Sequence, residues 1–187
     1  AGGLRVAPAL ADALGYRFVD REVVEEAARR VGVDPELARD RDERVPDLIE
    51  QLGRAMAAAS PEFGMSFPPV EDRTLADATA EVVRALAAAG GYVILGRGGQ
   101  AVLRDRPDAF HLSLVGSRED RLARVMKSQG LSEREAADRL ERTDDERAAY
   151  VKRFLGADIN DPLLYDCVLN TSRLGIAGAV GAAVAAA

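Results

Sequence analysis

Apolar positions along the chain follow two spacings. Val6, Leu10 and Leu14 recur at helical period before Gly15. Val23, Val24, Ala27, Ala28 and Val31 line a helix from about Arg21, with Gly32 as its stop. Leu75, Ala78, Val82, Val83, Leu86 and Ala89 line another, opened by the capping-box pattern Thr74-Leu75-Ala76-Asp77 and closed by Gly90-Gly91. Further helices are predicted from Gly99 to Leu103, after Ser117 with Leu122, Val125 and Met126 inward, from Ser132 through about Leu155, and after Asn170-Thr171-Ser172. Between them stand short continuous apolar runs, Tyr16–Val19, Tyr92–Leu95, Ala109–Val115 and Tyr165–Leu169, which read as strands. The run Tyr92-Val93-Ile94-Leu95 predicts a strand buried on both faces. Strands alternating with helices predict an α/β fold built on a doubly wound parallel sheet. Asp34-Pro35 reads as a helix N-cap followed by proline at the first helical position. The pattern weakens between Arg39 and Arg73: Val45–Ala59 is helix-spaced, whereas Ser60-Pro61 and Phe67-Pro68-Pro69 mark an exposed irregular stretch.

Composition narrows the classes. With 187 residues the chain suits one domain, 1–187, with 39–73 as a variable helical and irregular insertion. Net charge is −6 and Trp is absent, which argues against a nucleic-acid-coating or base-stacking protein. One cysteine, Cys167, leaves no internal disulfide and fits a reducing, cytoplasmic location. The single histidine, His111, falls inside the Ala109–Val115 run and reads as structural rather than catalytic. No stretch reaches the roughly 20 apolar residues of a bilayer span, so no membrane partner is expected.

Three stretches carry candidate chemistry. Arg97 lies between Gly96 and Gly98, just past the carboxyl end of a predicted strand, where ligands of open α/β sheets bind. Gly2-Gly3 runs into a helix N-terminus, whose first amide hydrogens have no partner within the helix and can meet a phosphate. The segment 132–160 is a long charged helix in which basic residues continue past Arg147 after the acids stop at Glu146, with Tyr150 on the polar face and Gly156-Ala157-Asp158 as a hinge. Such an arm can bring arginines over a phosphate crevice, as phosphoryl transfer requires.

Gly2-Gly3, Tyr16-Arg17-Phe18-Val19-Asp20-Arg21-Glu22, Val93-Ile94-Leu95-Gly96-Arg97-Gly98, Asp144-x-x-Arg147-x-x-Tyr150 and Tyr165-Asp166-x-Val168-Leu169-Asn170-Thr171-Ser172 occur in this order. Together they resemble the cytidylate kinase-like family, a branch of the P-loop nucleoside monophosphate kinases. The resemblance covers nearly the whole chain outside 39–73. It implies ATP with Mg2+ as donor, a nucleoside monophosphate (CMP or dCMP) as acceptor, and 132–160 as a helical lid. On matching positions it implies Gly2 and Gly3 in the donor phosphate loop, Asp20 at the acceptor pocket and Arg97 on the acceptor phosphate. Arg147, helped by Arg142, would stabilise the transferring phosphoryl group.

The chain departs from the family pattern at several points. Gly3 and Leu4 stand where a P-loop has Lys and Ser or Thr, and Arg5 is the nearest cation to replace the lysine. An apolar strand ending in glycine ahead of Ala1 would complete the loop. Gly98 stands where the better-known cytidylate kinases have an aspartate that helps read cytosine. Two other readings stay open. Gly96-x-Gly98-x-x-Ala101 with Arg118 about twenty residues on also satisfies an NADP-binding dinucleotide fingerprint. The incomplete phosphate loop also suits a catalytically inactive kinase-fold regulator.

Overall fold

The computed structural model describes residues 1–33, 45–52 and 73–187. Helix α1 (Gly3–Leu14) starts after Gly2, whose φ of 93° only glycine adopts readily, and ends at left-handed Gly15. Strand β1 (Arg17–Val19) leads into α2 (Arg21–Val33), followed by a helical segment α3 (45–52) and α4 (Arg73–Ala89). Then come β2 (Tyr92–Ile94), the single turn α5 (Gly99–Val102), β3 (Leu112–Val115), α6 (Arg118–Gln129) and α7 (Glu133–Leu155). A 3-10 turn (Pro162–Leu164), β4 (Cys167–Asn170) and α8 (Thr171–Ala186) complete the order.

The β1 and β2 strands pair in parallel, Phe18 opposite Val93, and β3 pairs with β4 in parallel, Leu114 opposite Leu169. The fold is thus mixed α/β, mostly helical, with two small parallel sheets; among the described residues the pairs do not join into the one doubly wound sheet expected. Each strand is three or four residues long and bonded on one side only. A sheet so narrow cannot be sealed by helices on both faces, so β2 is half-buried at all three positions rather than fully buried.

The main core lies between helices. Val23, Val24, Ala27 and Ala28 of α2 pack with Ala78, Val82, Val83 and Leu86 of α4, and Val45, Leu48, Ile49 and Leu52 of α3 close the cluster beside Val19. Thus 45–52, part of the segment expected to vary, contributes four core side chains. The remainder of Val45–Ala59, together with Asp34-Pro35, Ser60-Pro61 and Phe67–Pro69, lies outside the described residues. Four local expectations are corrected. The α2 helix runs through Gly32, which therefore is not its stop, and α4 already begins at Arg73, placing Thr74 inside the helix rather than at its cap. Strand β3 starts only at Leu112, because the preceding residue is held by a different set of bonds: the His111 amide donates to Asp166 Oδ2 at 2.6 Å and its carbonyl accepts from the amides of Asp166 and Cys167. Tyr165 stays outside β4, its hydroxyl donating to the Ile159 carbonyl at 2.8 Å. His111 is structural in this setting, its Nε2 3.3 Å from the Leu103 carbonyl. Among the described residues no helix is long and apolar enough to cross a membrane.

Helix α7 is opened by a full capping box. The Ser132 hydroxyl accepts from the Glu135 amide, and Glu135 Oε2 accepts from the Ser132 amide at 3.0 Å. The Ser132 hydroxyl, which also donates to Glu135 Oε2, and then the Ser132 amide hold the Glu135 carboxyl below the usual glutamate value of 4.5. A depressed folded value means that the contribution is complete above the unfolded value and is lost as pH falls through the folded one. Far-UV circular dichroism should therefore show thermal stability falling on acidification less in Glu135→Gln, which keeps a capping side chain but no longer titrates, than in the parent.

Candidate functional site

The turn after β2 is unusual in its backbone. Gly96, Arg97 and Gly98 have φ of 84°, 58° and 69°, and Arg97 is the non-glycine residue with positive φ among those described. An L-residue in this region costs roughly 1–2 kcal/mol. The three left-handed residues in succession reverse the chain and throw the Arg97 side chain back onto α2. Its Nη1 lies 2.5 Å from Glu25 Oε1, with the two side chains only 12% and 3% exposed. The guanidinium carbon sits 5.0 Å from the centre of the Tyr150 ring on α7, a cation–π contact. Arg97 Nε is buried with no hydrogen-bond partner. Burial lowers the Arg97 pKa and Glu25 opposes it; an arginine starts so high that it stays charged. Burial raises Tyr150 above its usual 10.0, Arg97 opposing, and its buried hydroxyl faces Thr79 without a hydrogen bond of good geometry.

Gly98 is held by packing as well as by φ. A β-carbon there would collide with the Leu155 side chain and touch Val151, both on the last turns of α7. This contact also explains why no aspartate stands at this position: the end of α7 fills the space. It also disfavours the dinucleotide reading, which needs a pyrophosphate to approach that glycine closely where Leu155 and Val151 stand.

A second cluster forms at the carboxyl ends of β3 and β4. Ser117 caps α6, accepting from the Asp120 amide at 3.2 Å, and its own amide donates to Ser172 Oγ at 2.9 Å. The buried Thr171 hydroxyl shares its proton between the carbonyls of Ala1, at 2.8 Å, and Val115, at 3.1 Å, and accepts from Arg124 Nη1 at 3.1 Å. The same Nη1 is 3.0 Å from where a Gly2 β-carbon would stand, and a Gly3 β-carbon would be 3.0 Å from Leu95 Cδ1. Thus the start of α1 is wedged between Arg124 and the end of β2. One helical turn earlier on α6, Arg121 Nη2 reaches both oxygens of Asp144 on α7, at 2.7 and 2.6 Å, while its Nε is buried without a partner. Arg147 Nη1 stands 4.0 Å from the same carboxylate.

The two clusters face one another. The field of Arg21 and Arg147 reaches Arg97, and that of Arg21 and Arg121 reaches Arg147. Burial is the first cause lowering Arg147, with Asp144 opposing, but its side chain is 62% exposed, so water screens much of the effect. Guanidinium groups from α2, the β2–α5 turn, α6 and α7 thus lie within one another's fields, with Glu25 and Asp144 as the paired acids and the half-buried Ala1 amine beside Arg121, Arg124 and Arg147. A group of like charges so arranged is a receptor for an anion of several charges.

Of the residues expected from sequence, Gly2, Gly3, Arg97 and Arg147 come to this space. Asp20 caps α2, its Oδ1 accepting from the Val23 amide at 3.0 Å. Arg5 and Arg142 are exposed and join none of these contacts. Sequence reading passed over Arg21, Glu25, Arg121, Arg124 and Thr171. Three had a signal: Glu25 is an acid on the buried Val24–Ala28 face of α2, and Arg121 and Arg124 lie three apart on one face of the helix that follows β3. Among the described residues no group of three or more His, Cys, Asp or Glu could hold a metal ion. Gly98→Ala should lower stability by about 2–4 kcal/mol, combining left-handed strain and overpacking against Leu155; urea unfolding of the variant measures it.

The cytidylate kinase-like family model matches residues 1–173. The chain is also similar to the crystal structure of an uncharacterized protein from Eubacterium ventriosum ATCC 27560, with a TM-score of 0.71 and 20% identity over 98% of this chain and 90% of that one. At that identity the likeness speaks for the fold alone. No curated protein matches. A match over nearly the whole chain makes this chain a member of the cytidylate kinase-like family.

Proposed function

We propose that the chain is a nucleoside monophosphate kinase that transfers the ATP γ-phosphate to CMP or dCMP. The observation that carries this reading is the convergence of Arg21, Arg97, Arg121, Arg124 and Arg147 on one crevice between Gly2 and Gly98. Two phosphate chains brought together in one site need such a surplus of cations, because catalysis of phosphoryl transfer is mainly positioning and charge stabilisation.

The two sides of the crevice suit different roles. Gly2, Gly3 and Arg124 form the donor side, where the free amides at the start of α1 and the Arg124 guanidinium meet the ATP phosphates. Arg97 forms the acceptor side, and Asp20, at the start of α2, would meet the acceptor. The segment 132–160 is the lid, and its Arg147 stands between the two sides; Arg142 and Arg5 would have to swing in from solvent to take part. The acceptor phosphate oxygen is anionic at neutral pH, so it attacks without a general base. Arg121 and Arg147 neutralise the charge that develops, and Asp144 holds the pair in register. Mg2+ bound with ATP would screen the charge of its phosphates, which Arg124 and the amides at the start of α1 would hold. A second reading is favoured by one observation: Gly3 and Leu4 occupy the lysine and hydroxyl positions of a phosphate loop, as in a nucleotide-binding regulator without turnover.

A coupled ADP-release assay of the full-length protein against a panel of nucleoside monophosphates tests the proposal. Turnover is expected with CMP or dCMP. Nucleotide binding without turnover of any acceptor supports the regulator instead. Arg97→Ala should raise the KM for the acceptor, Arg124→Ala that for ATP, and Arg147→Ala should chiefly lower kcat, by about a hundredfold.

A further inference from the structure

The Arg97 guanidinium is already fixed on two sides in the absence of any ligand. Glu25 takes its Nη1 edge at 2.5 Å, and the Tyr150 ring covers one face at 5.0 Å. What is left is the Nε edge, buried and without a partner. A guanidinium binds a phosphate through two adjacent N–H groups, so a free Nε edge on an otherwise immobilised group is a fork waiting for one. The residue that stacks on it belongs to α7, and the next turn of that helix lays Val151, 2% exposed, and Leu155 over Gly98. The last two turns of α7 therefore rest on the Gly96–Gly99 turn itself, while Gly156 ends the helix immediately beyond.

From this we infer that Glu25 and Tyr150 are positioning residues for Arg97, and that the stacking of Tyr150 ties the seating of the acceptor phosphate to the docking of the α7 end on the Gly96–Gly99 turn. The inference rests on the reading of Arg97 as the acceptor-phosphate arginine. Glu25 has two opposite possible effects: as a competitor for the guanidinium it would weaken phosphate binding, and as a holder of its orientation it would strengthen it. The unpartnered Nε decides for orientation, because the carboxylate holds Nη1 and leaves Nε without a partner. Tyr150 acts by the same logic from above, where a ring contributes through its face and not through its hydroxyl.

Three variants of the full-length protein, each checked for folding by circular dichroism, test this. Tyr150→Leu should raise the KM for the monophosphate about tenfold, the size of a desolvated cation–π contact, and leave the KM for ATP unchanged. Tyr150→Phe, which keeps the ring, should behave as the parent and guards against loss of folding in the leucine variant. Glu25→Gln should weaken monophosphate binding even though it makes the crevice more positive; tighter binding would show Glu25 to be a competitor and overturn the inference. Amide hydrogen exchange of the ligand-free protein gives a reading independent of turnover. Tyr150→Leu should speed exchange in Tyr150–Leu155 and in Gly96–Val102 together. Faster exchange confined to α7, or equal shifts in both KM values, would overturn the coupling. If the parent binds no monophosphate, the kinase reading and the acceptor part of the inference fail together, whereas the exchange result still decides whether Tyr150 couples the lid to the turn.

Discussion

The buried pair between Arg97 and Glu25, roofed by Tyr150, is the contact on which the arrangement of this molecule depends. It joins three parts of the chain that are far apart in sequence: α2, the turn after β2, and the end of α7. Burying two charges is expensive, and removing one partner of such a pair typically costs ~3–5 kcal/mol. Arg97 also occupies a left-handed conformation. Neither would persist in a turn free to relax, so the surrounding helices must hold it. They do so with apolar contacts: the α2–α4 core on one side and Val151 and Leu155 on the other.

The consequence is an arginine that is both structural and available. Its charge is balanced by Glu25, its face is covered, and one edge has no partner. Arg121 repeats the arrangement across the crevice, bound bidentately to Asp144 with its own Nε left over. In each case a carboxylate fixes the plane of a guanidinium and leaves N–H groups pointing elsewhere. Preorganised donors of this kind need no reorganisation when a charged ligand arrives, which is where the strength of such sites originates.

The other end of the crevice is organised by Thr171 rather than by charge. One buried hydroxyl draws together the start of α1, the end of β3 and Arg124 of α6. The Gly2 side is therefore tied by a hydrogen-bond junction between the start of α1, the β3–β4 pair and α6. Neither strand pair could place Gly2 beside Arg124 without it.

The sequence by itself determined the order and kind of the elements, because helical and strand periodicities, Ser and Asn caps and glycine stops are local signals. Ser117 and Ser132 cap as read, Asn170 caps the last helix, and Gly15, Gly130 and Gly156 end their helices. It also marked Arg97 and the Gly2-Gly3 turn, since a glycine-flanked charge past an apolar run is a short-range pattern. What only the tertiary structure decided is which side chains meet. Glu25, Arg121, Arg124 and Thr171 look like ordinary helix residues until α2, α6, α7 and α8 are brought around one space. The division of the sheet into two pairs was equally invisible, since strand pairing depends on which backbones come side by side and not on the apolar runs that form them. Gly98 shows both levels at once: its sequence announces a turn, but the reason nothing larger stands there is Leu155, fifty-seven residues away along the chain and in contact only after folding.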